Sequence, residues 1–287
     1  MGTSCPDNFC GPGLKRDSAI FTNFLFVPAS KPDRYAKALA SGADLICIDL
    51  EDSVPAAGKA GARASVIEHL PSLDGARVAV RTNGLRTADG LADLLALRES
   101  AAKPSLIFLP MVESPAEVEI ARSVAGEGVS GFVPLVETAL GLRRAVDIAK
   151  EPGVAALMFG GGDLSSDLGV ALEWGPLLVA RSQLIIACAE AKVRCVDVPY
   201  ASLDDDAGLE QECRRAKTLG FHAKAAIHPK QIEIIARTMR PSDAELSQAR
   251  AAIAAFEQAG GAAIQHNGKL LEAPMIDQFR KLLAAAG

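Results

Sequence analysis

The sequence has no basic tract and no long apolar run, and these absences limit what the protein can bind. It contains 30 lysines and arginines against 35 aspartates and glutamates, a net charge of −5. This balance excludes nucleic acid and anionic membrane surfaces as expected partners. No uncharged apolar stretch reaches the ~18 residues of a membrane-spanning helix. Residues 1–20 lack the apolar core of a signal peptide, and Pro6 stands where a myristoylation motif needs Ser or Thr. We therefore expect a cytoplasmic protein.

Cysteine is sparse and never occurs as a CxxC pair. The six cysteines stand at positions 5, 10, 47, 188, 195 and 213, and Cys47 and Cys195 lie in apolar runs typical of strands. This spacing gives no sign of a disulfide framework or of a zinc site. We expect free, buried thiols in a reducing compartment.

What the sequence does contain is a regular alternation of short apolar runs and longer helical patterns. The chain has 287 residues and is 49% hydrophobic, enough for one large core. Strands are predicted at 24–28, 45–50, 77–81, 106–110, 132–136, 155–159, 194–198 and 222–227. Helices are predicted at 32–41, 59–70, 90–99, 115–125, 139–150, 177–191, 209–219 and 230–238. Eight strand–helix units imply parallel strands with right-handed crossovers, and eight strands close a (β/α)8 TIM barrel.

Glycine positions support this alternation and weigh against an alternative fold. Gly42, Gly153 and Gly220 follow helical patterns, where a left-handed residue is expected. A doubly wound open sheet is the alternative. Its glycine-rich phosphate turn after the first strand is missing, and the segment PASKP at 28–32 stands there.

Residues beyond the predicted barrel indicate a helical extension. Ser242 and Glu245 have the spacing of a capping box for a helix reaching about Gln258. Two glycines at 260–261 then interrupt the pattern, residues 262–274 are rich in turn formers, and a final helix is predicted at 275–285. We expect a loose arm at 1–20, a barrel at 21–240, and an extension at 241–287 that acts as a lid or a subunit-contacting arm.

Two acidic residues follow apolar runs that predict buried strands. Glu137 follows FVPLV at 132–136, and Asp163 follows VAALMFGGG at 154–162. One such acid alone would be read as a solvated loop residue or helix cap. Two of them, one βα unit apart, can meet at the carboxyl-end rim of a barrel, where hard oxygen ligands suit Mg²⁺. The pair predicts a magnesium site.

Further polar residues at strand ends extend this predicted site. The second strand leads into Asp49, Glu51 and Asp52, and the third ends at Arg81. Arg81 offers a planar fork to a substrate carboxylate, with a salt bridge to Asp49 or Glu51 as the alternative. Asp49 and Glu51 are catalytic candidates because they could orient metal-bound water or Arg81.

Three other features have both a functional and a structural interpretation. The glycines at 160–162, Gly161 and Gly162 in particular, would let backbone N–H groups approach a substrate carboxylate, or they form only a tight loop. His228 is a catalytic base or a helix-capping residue. Lys224 is a Schiff-base lysine or the partner of a strand-end carboxylate, and we favour the second interpretation.

These residues fall in motifs that resemble the CitE-like family, which comprises citrate lyase β subunits and malyl-CoA and citramalyl-CoA lyases within the HpcH/HpaI aldolase superfamily. The motifs run in family order over roughly residues 24–275 and are jointly specific. They are LFVP at 25–28, GAD at 42–44, IDLEDSV at 48–54, Lys59 with Arg63, VRTN at 80–83, PLVET at 134–138, FGGGDL at 159–164, Lys224, IHP at 227–229 and NGK at 267–269.

The resemblance implies a (β/α)8 barrel with a C-terminal extension that assembles into homotrimers or hexamers. It implies Mg²⁺ on Glu137 and Asp163. It also implies reversible cleavage of a 3-hydroxyacyl-CoA into a short acyl-CoA and a 2-oxo acid. Glu137 would also contact the bound substrate.

The resemblance also implies roles for residues outside the metal pair. It places the carboxylate of the oxo acid on Arg81 and coenzyme A on Lys37 and Arg63. An acid from a neighbouring subunit's extension would move the proton, and Glu272 stands at that position.

Three departures from the family pattern keep other activities open. The usual Arg before the first strand is Asn23, the Lys after the fourth strand is Met111, and the catalytic Asp is Glu272, one methylene longer. The alternatives are a malyl-CoA-type thioesterase, a CoA-independent 2-oxo-acid aldolase, and a non-catalytic subunit of a citrate-lyase-like complex.

Overall fold

Eight parallel strands close into a barrel in the computed structural model, which describes residues 21–284. The strands are β1 (Asn23–Pro28), β2 (Leu45–Asp49), β3 (Val78–Arg81), β4 (Leu106–Leu109), β5 (Gly131–Val136), β6 (Ala156–Phe159), β7 (Arg194–Asp197) and β8 (Ala223–Ala226). Neighbours pair in chain order, and β1 closes the ring on β8 through pairs such as Phe24 with Ala225. The predicted (β/α)8 barrel is confirmed.

Helices follow the strands around the barrel. They are α1 (Tyr35–Leu39), α2 (Lys59–His69), α3 (Ala88–Glu99), α4 (Pro115–Ala125), α5 (Ala139–Arg143), α6 (Ala145–Ala149), α7 (Gly161–Leu168), α8 (Trp174–Ala191), α9 (Asp206–Leu219) and α10 (Lys230–Met239). Side chains of Thr87, Ser114, Thr138 and Asp205 accept N–H groups of the first turns of α3, α4, α5 and α9. These caps fix where each helix begins after its loop.

Some element boundaries differ from prediction for local reasons. The helix predicted at 139–150 is two helices, because Arg144 leaves helical geometry at φ −102° and ψ 7°. Helix α7 was not predicted, since it begins with two glycines, which are poor helix formers. Gly42, Gly153 and Gly220 have φ of 84°, 89° and 116°, which confirms the expected left-handed positions.

The core of the barrel unit has two layers because successive side chains on a strand point to opposite faces. The outward layer packs between strands and helices. The inward layer takes alternate residues from all eight strands and fills the barrel interior. Its members include Phe24, Cys47, Ala79, Phe108, Leu135, Met158, Val196 and Ala225.

A second compact unit follows from residue 240. It contains α11 (Asp243–Gln258), a hairpin of β9 (Ile264–His266) and β10 (Lys269–Leu271), and α12 (Ala273–Ala284). The predicted capping box of Ser242 and Glu245 is present. The turn-rich stretch is a hairpin whose Asn267 and Gly268 have φ of 49° and 75°, as a tight Asn-Gly turn requires.

The prediction of free, buried thiols is confirmed for the four cysteines in the described part of the chain. Cys47, Cys188, Cys195 and Cys213 are free and buried. Burial raises the pKa of Cys47, Cys195 and Cys213, so these thiols are poor nucleophiles. Positions 5 and 10 and the predicted arm at 1–20 lie outside the described residues. Among residues 21–284, no helix combines the length and apolar character needed to cross a bilayer.

Candidate active site

A cavity of about 410 Å³ opens at the carboxyl ends of the strands. It gathers five of the charged residues that the sequence singled out, whereas Glu51 is not part of its lining. Its lining is Phe26, Pro28, Asp49, Asp52, Ser53, Arg81, Leu135, Glu137, Met158, Gly160, Gly162, Asp163, Val198, Pro199 and Ile227. Acids from β2, β5 and the start of α7 therefore share one cavity with Arg81 of β3.

The alternation of the strands explains why these side chains meet. In four strands an inward-facing position is apolar, and the residue two positions further on, at the barrel mouth, is charged or is glycine. The successions are Cys47 to Asp49, Ala79 to Arg81, Leu135 to Glu137 and Met158 to Gly160. In β2, β3 and β5 an apolar interior position is thus followed by a charged side chain at the rim.

Glu137 is the more buried acid of the proposed metal pair, with 4% of its surface exposed. The backbone N–H of Met111 donates to its Oε2 at 2.7 Å. A Cβ at position 160 would lie 2.0 Å from Glu137 Cγ and 2.7 Å from Oε1. Gly160 is therefore required because it vacates the space that the Glu137 side chain occupies.

Asp163 lies in the first turn of α7 and is exposed to the cavity. Burial, assisted by the charges of Asp163 and Asp52, raises the pKa of Glu137 to about 7, although the Met111 amide and Arg81 act to lower it. Burial and the charge of Asp52 also raise the pKa of Asp163. Both acids line one cavity and have raised pKa values, so a bound cation would favour their ionised forms.

The donor set fits Mg²⁺. Both ligand candidates are carboxylates, the oxygen donors that this hard ion prefers. Within residues 21–284 no group of three or more His, Cys, Asp or Glu side chains could enclose a metal. A cation here would have only two protein ligands, which leaves coordination positions for water and substrate, as Mg²⁺ sites usually do.

Arg81 is held by three acids. Its Nε and Nη2 donate to Asp49 Oδ1 and Oδ2 at 2.7 and 2.8 Å. Its Nη1 lies 2.7 Å from Glu51 Oε2 and 3.2 Å from Asp52 Oδ2. The guanidinium also lies 4.8 Å from the ring centroid of Phe26. The salt-bridge alternative raised for Arg81 is thus present, while the residue still lines the cavity.

The acids around Arg81 have opposite properties. Burial opposes ionisation of Asp49, but the hydrogen bonds and charge of Arg81 outweigh it and lower the pKa. Burial, assisted by the charge of Glu137, raises the pKa of Glu51 to about 8, although the charge of Arg81 acts to lower it. Asp49 is therefore a fixed anion that orients Arg81, whereas Glu51 can carry a proton at neutral pH.

The two predicted backbone donors differ in position. Gly162 lines the cavity, and a Cβ there would meet nothing within 4 Å. Gly161 is buried, and a Cβ there would press on Phe159, Leu172 and Val198 at 3.1 to 3.3 Å. Only Gly162 faces the space where a ligand would bind.

The residues expected at coenzyme A lie outside the cavity lining. Lys37 is exposed on α1. Arg63 on α2 is paired with Asp93 at 2.6 Å and Asp89 at 2.6 Å. Lys59 donates to the carbonyls of Leu50 and Glu51 at 2.8 and 2.5 Å, which braces the loop after β2. Arg63 and Lys59 thus make internal contacts.

The remaining candidates have structural contacts. His228 Nδ1 accepts the N–H of Lys230 at 3.2 Å, at the start of α10. Lys224 is fully buried and donates to Asp197 and Glu212 at 2.7 Å each, as the favoured interpretation expected. Glu272 is exposed in the second unit, and its carbonyl accepts N–H groups of α12.

Sequence reasoning missed the contribution of Met111. It was noted only as a departure from the family pattern, yet its backbone N–H contacts Glu137. A role played by a main-chain amide leaves no side-chain signature. Gly160 was noted as a backbone donor. In the structure it leaves space for the Glu137 side chain, which follows the neighbouring strand β5, and residues 160–162 alone do not reveal that contact.

The fold and the charged cavity define a barrel enzyme with its active site at the carboxyl ends of the strands. The chain belongs to the HpcH/HpaI aldolase/citrate lyase family, whose profile matches residues 23–229. A second profile, C-C bond lyase of the TIM-barrel fold, matches residues 185–278. The predicted CitE-like family and the lyase class are confirmed.

Individual relatives are similar over most of their length. An L-malyl-CoA/β-methylmalyl-CoA lyase of Cereibacter sphaeroides is 31% identical, covering 91% of this chain and 93% of that protein. A (3S)-malyl-CoA thioesterase of the same species is 36% identical, covering 93% and 94%. The crystal structure of CitE from Mycobacterium tuberculosis with magnesium, acetoacetate and coenzyme A matches with a TM-score of 0.82 at 32% identity, covering 94% and 99%.

Proposed function

We propose that the protein is a Mg²⁺-dependent carbon–carbon lyase. Its substrate would be a 3-hydroxyacyl-CoA such as malyl-CoA or citramalyl-CoA, cleaved reversibly into a short acyl-CoA and a 2-oxo acid. The observation that carries this proposal is the presence of Glu137, Asp163 and Arg81 on one cavity. The similarity to a malyl-CoA/β-methylmalyl-CoA lyase and to a CitE complex with magnesium and coenzyme A supports it.

Glu137 and Asp163 are the proposed ligands of Mg²⁺. When bound, Mg²⁺ would supply Lewis-acid polarisation of the substrate hydroxyl and the adjacent carboxylate. Glu137 is fixed by the Met111 amide and by the space at Gly160. Asp163 is fixed less tightly because it is exposed on the first turn of α7.

Arg81 and the Gly162 amide are the proposed contacts for the carboxylate of the oxo acid. Asp49 holds two guanidinium nitrogens of Arg81, so it acts through Arg81 and not on the substrate. Glu51 and Asp52 contact the remaining terminal nitrogen. A substrate carboxylate would replace Asp52, the most exposed of the three acids at 70%, at little cost in desolvation.

The reaction requires a base and an acid. The hydroxyl loses its proton, its oxygen forms the carbonyl of the 2-oxo acid, and the carbon–carbon bonding pair passes to the thioester enolate. That enolate takes up one proton at carbon. Glu51, whose pKa is raised to about 8, is the barrel group suited to exchange protons at neutral pH. Glu272 of the extension is the second candidate.

Replacement of the metal ligands tests this proposal. We expect Glu137→Gln and Asp163→Asn each to lower Mg²⁺-dependent cleavage of malyl-CoA and citramalyl-CoA by about 10²-fold or more. Glu190→Gln is the matched control, because Glu190 is an exposed acid on α8 that pairs with Lys150 away from the cavity lining. Full activity of Glu137→Gln would remove the proposed metal site.

A thioesterase is the second candidate, because the (3S)-malyl-CoA thioesterase is similar over 93% of the chain. The products separate the two activities. Release of coenzyme A without a 2-oxo acid would identify a thioesterase, and 2-oxo acid formation independent of CoA would identify an aldolase. Turnover by the purified chain alone would exclude a non-catalytic subunit.

Coenzyme A recognition, assembly and location complete the proposal. Exposed Lys37 is the proposed contact for CoA phosphates, whereas Arg63 would first have to leave Asp89 and Asp93. A rise in KM for acyl-CoA in Lys37→Ala, with kcat unchanged, would support this contact. We propose a cytoplasmic homotrimer or hexamer in which the extension is a lid or a subunit-contacting arm. Light scattering measures the number of subunits.

A further inference from the structure

Four residues outside the cavity lining form a closed ring of contacts with Glu137. Its members come from the loops after β3, β4 and β5. They are Arg86, Met111, Glu113 and Thr138. Of these four, the proposed metal site uses the Met111 amide alone, and Arg86 makes three contacts although its side chain is 55% exposed.

The ring starts and ends at Glu137. The Met111 N–H donates to Glu137 Oε2 at 2.7 Å, and Arg86 Nη2 donates to the Met111 carbonyl at 2.8 Å. Arg86 Nη1 donates to Glu113 Oε2 at 2.7 Å, and Thr138 Oγ1 donates to Glu113 Oε1 at 2.8 Å. Thr138 is the next residue after Glu137 and caps α5. The Met111 carbonyl and the Thr138 side chain beside Glu137 are thus tied to one arginine–glutamate pair, while the Met111 N–H is bound to Glu137 itself.

The backbone of Met111 shows that the ring holds the loop in an unfavourable conformation. Its φ is 56°, in the left-handed region that side chains other than glycine rarely adopt. Such a conformation persists only when surrounding contacts over-determine it. Met111 itself is held by the Glu137 carboxylate on its N–H and by Arg86 on its carbonyl, and the next N–H, that of Val112, donates to the Leu135 carbonyl at 3.3 Å.

The loop is braced further at its helical end. Arg86 Nε lies 2.9 Å from Glu117 Oε1, and Glu117 Oε2 accepts the N–H groups of Glu113 and Ser114 at 2.7 and 3.1 Å. The fork of Arg86 therefore spans the loop from Met111 to the first turn of α4. A lysine, with one point charge, cannot make these three contacts together.

We propose that Arg86 is a positioning residue for Glu137. By holding the Met111 carbonyl, it keeps the Met111 N–H aimed at Glu137 and so fixes the carboxylate that ligates the cation. This inference rests on the proposed role of Glu137 in Mg²⁺ binding. Outer contacts of this kind orient metal ligands although they never touch the metal.

The test measures Mg²⁺ binding to the full chain by calorimetry without substrate. We expect Arg86→Ala to weaken Mg²⁺ binding about 10-fold, the lower end of the range for contacts that orient a metal ligand, because Arg86 acts through one intervening residue, Met111. The apparent KM for Mg²⁺ should rise while kcat at saturating Mg²⁺ changes less. Arg86→Lys should fall between wild type and Arg86→Ala.

Arg98→Ala is the matched control. Arg98 is an exposed arginine of α3 that also donates to a main-chain carbonyl, that of Val124, at 3.2 Å. It should leave Mg²⁺ affinity unchanged. Glu113→Gln weakens the ring at the carboxylate that contacts both Arg86 and Thr138. This variant should also weaken Mg²⁺ binding, and it serves as the test if Arg86→Ala does not fold.

The outcomes separate this inference from the proposed function. Wild-type Mg²⁺ affinity in Arg86→Ala, or in Glu113→Gln where that variant is the folded one, overturns the inference while leaving the metal site in place. An equal loss of melting temperature with and without Mg²⁺, at unchanged affinity, would show a purely structural role. Failure of unaltered protein to bind Mg²⁺ would remove the proposed function and the inference with it.

Discussion

Substitution of Gly160 by alanine tests the geometry of the site most directly. The added Cβ would lie 2.0 Å from Glu137 Cγ and 2.8 Å from Glu137 Cδ. Carbon atoms in contact are about 3.5–4.0 Å apart, so the Glu137 side chain must move by roughly 1.5 Å. The backbone of Gly160, at φ −91° and ψ 70°, is open to alanine, so the effect is steric.

The displacement translates into a defined loss of function. A misplacement of about 1 Å costs about 10²-fold in rate, which corresponds to about 2.7 kcal/mol. We expect Gly160→Ala to lower both Mg²⁺ affinity and kcat/KM by about 10²-fold, measured by calorimetry and by acyl-CoA cleavage. Glu137 cannot shift freely, because Met111 holds its Oε2 at 2.7 Å.

Two further variants isolate the cause. Gly61→Ala is the matched control, since a Cβ on this α2 glycine meets nothing within 4 Å. Glu137→Ala in the Gly160→Ala background removes the overlap, so thermal stability should recover while Mg²⁺ binding stays lost. Wild-type Mg²⁺ affinity in Gly160→Ala would refute the placement of Glu137 against β6.

Three further predictions concern pH and buried charge. Glu137 must ionise to ligate Mg²⁺, and its pKa is about 7, so Mg²⁺ affinity measured by calorimetry should fall about tenfold per pH unit below 7 and level off above it; a flat profile from pH 5.5 to 7 would contradict this. Burial lowers the pKa of His222 from 6.5 to about 4, so the unfolded chain binds the extra proton and stability is complete above pH 6.5 and lost as pH falls to 4, by up to about 3 kcal/mol. His222→Asn keeps an acceptor for the N–H of Cys195, at 3.0 Å in wild type, and should remove that part of the pH slope in urea titrations. Lys224→Met removes one of the two cations that pair with buried Asp197 in the described part of the chain, Lys224 and Arg181, and should cost about 3 kcal/mol of unfolding free energy. A cost under about 1 kcal/mol would contradict the buried pairing.

Much of the fold follows from local patterns. The strands at 45–50 and 106–110 are continuous apolar runs with few alternatives, and both appear within one residue of prediction. The capping box at Ser242 is a local signal and is present. Helix α7 was not predicted because its first two residues are glycines, which have low helix propensity. The tertiary environment overrides this low propensity.

The site was only partly predictable for a physical reason. Strand order and alternation place Glu137, Asp163, Asp49 and Arg81 at one rim, and the structure brings all four to one cavity. The engagement of Arg63 by Asp89 and Asp93 depends on how α2 packs on α3, which a sequence segment does not reveal.

The sequence by itself determined the number of strands, their parallel order and the identity of the charged residues at their carboxyl ends, because eight alternating strand–helix units close into one barrel. The tertiary structure alone decided which acid is buried, which arginine is already neutralised and which backbone amide holds Glu137. These properties depend on distances of a few ångströms between residues far apart in the chain, and electrostatic free energies change steeply over that range.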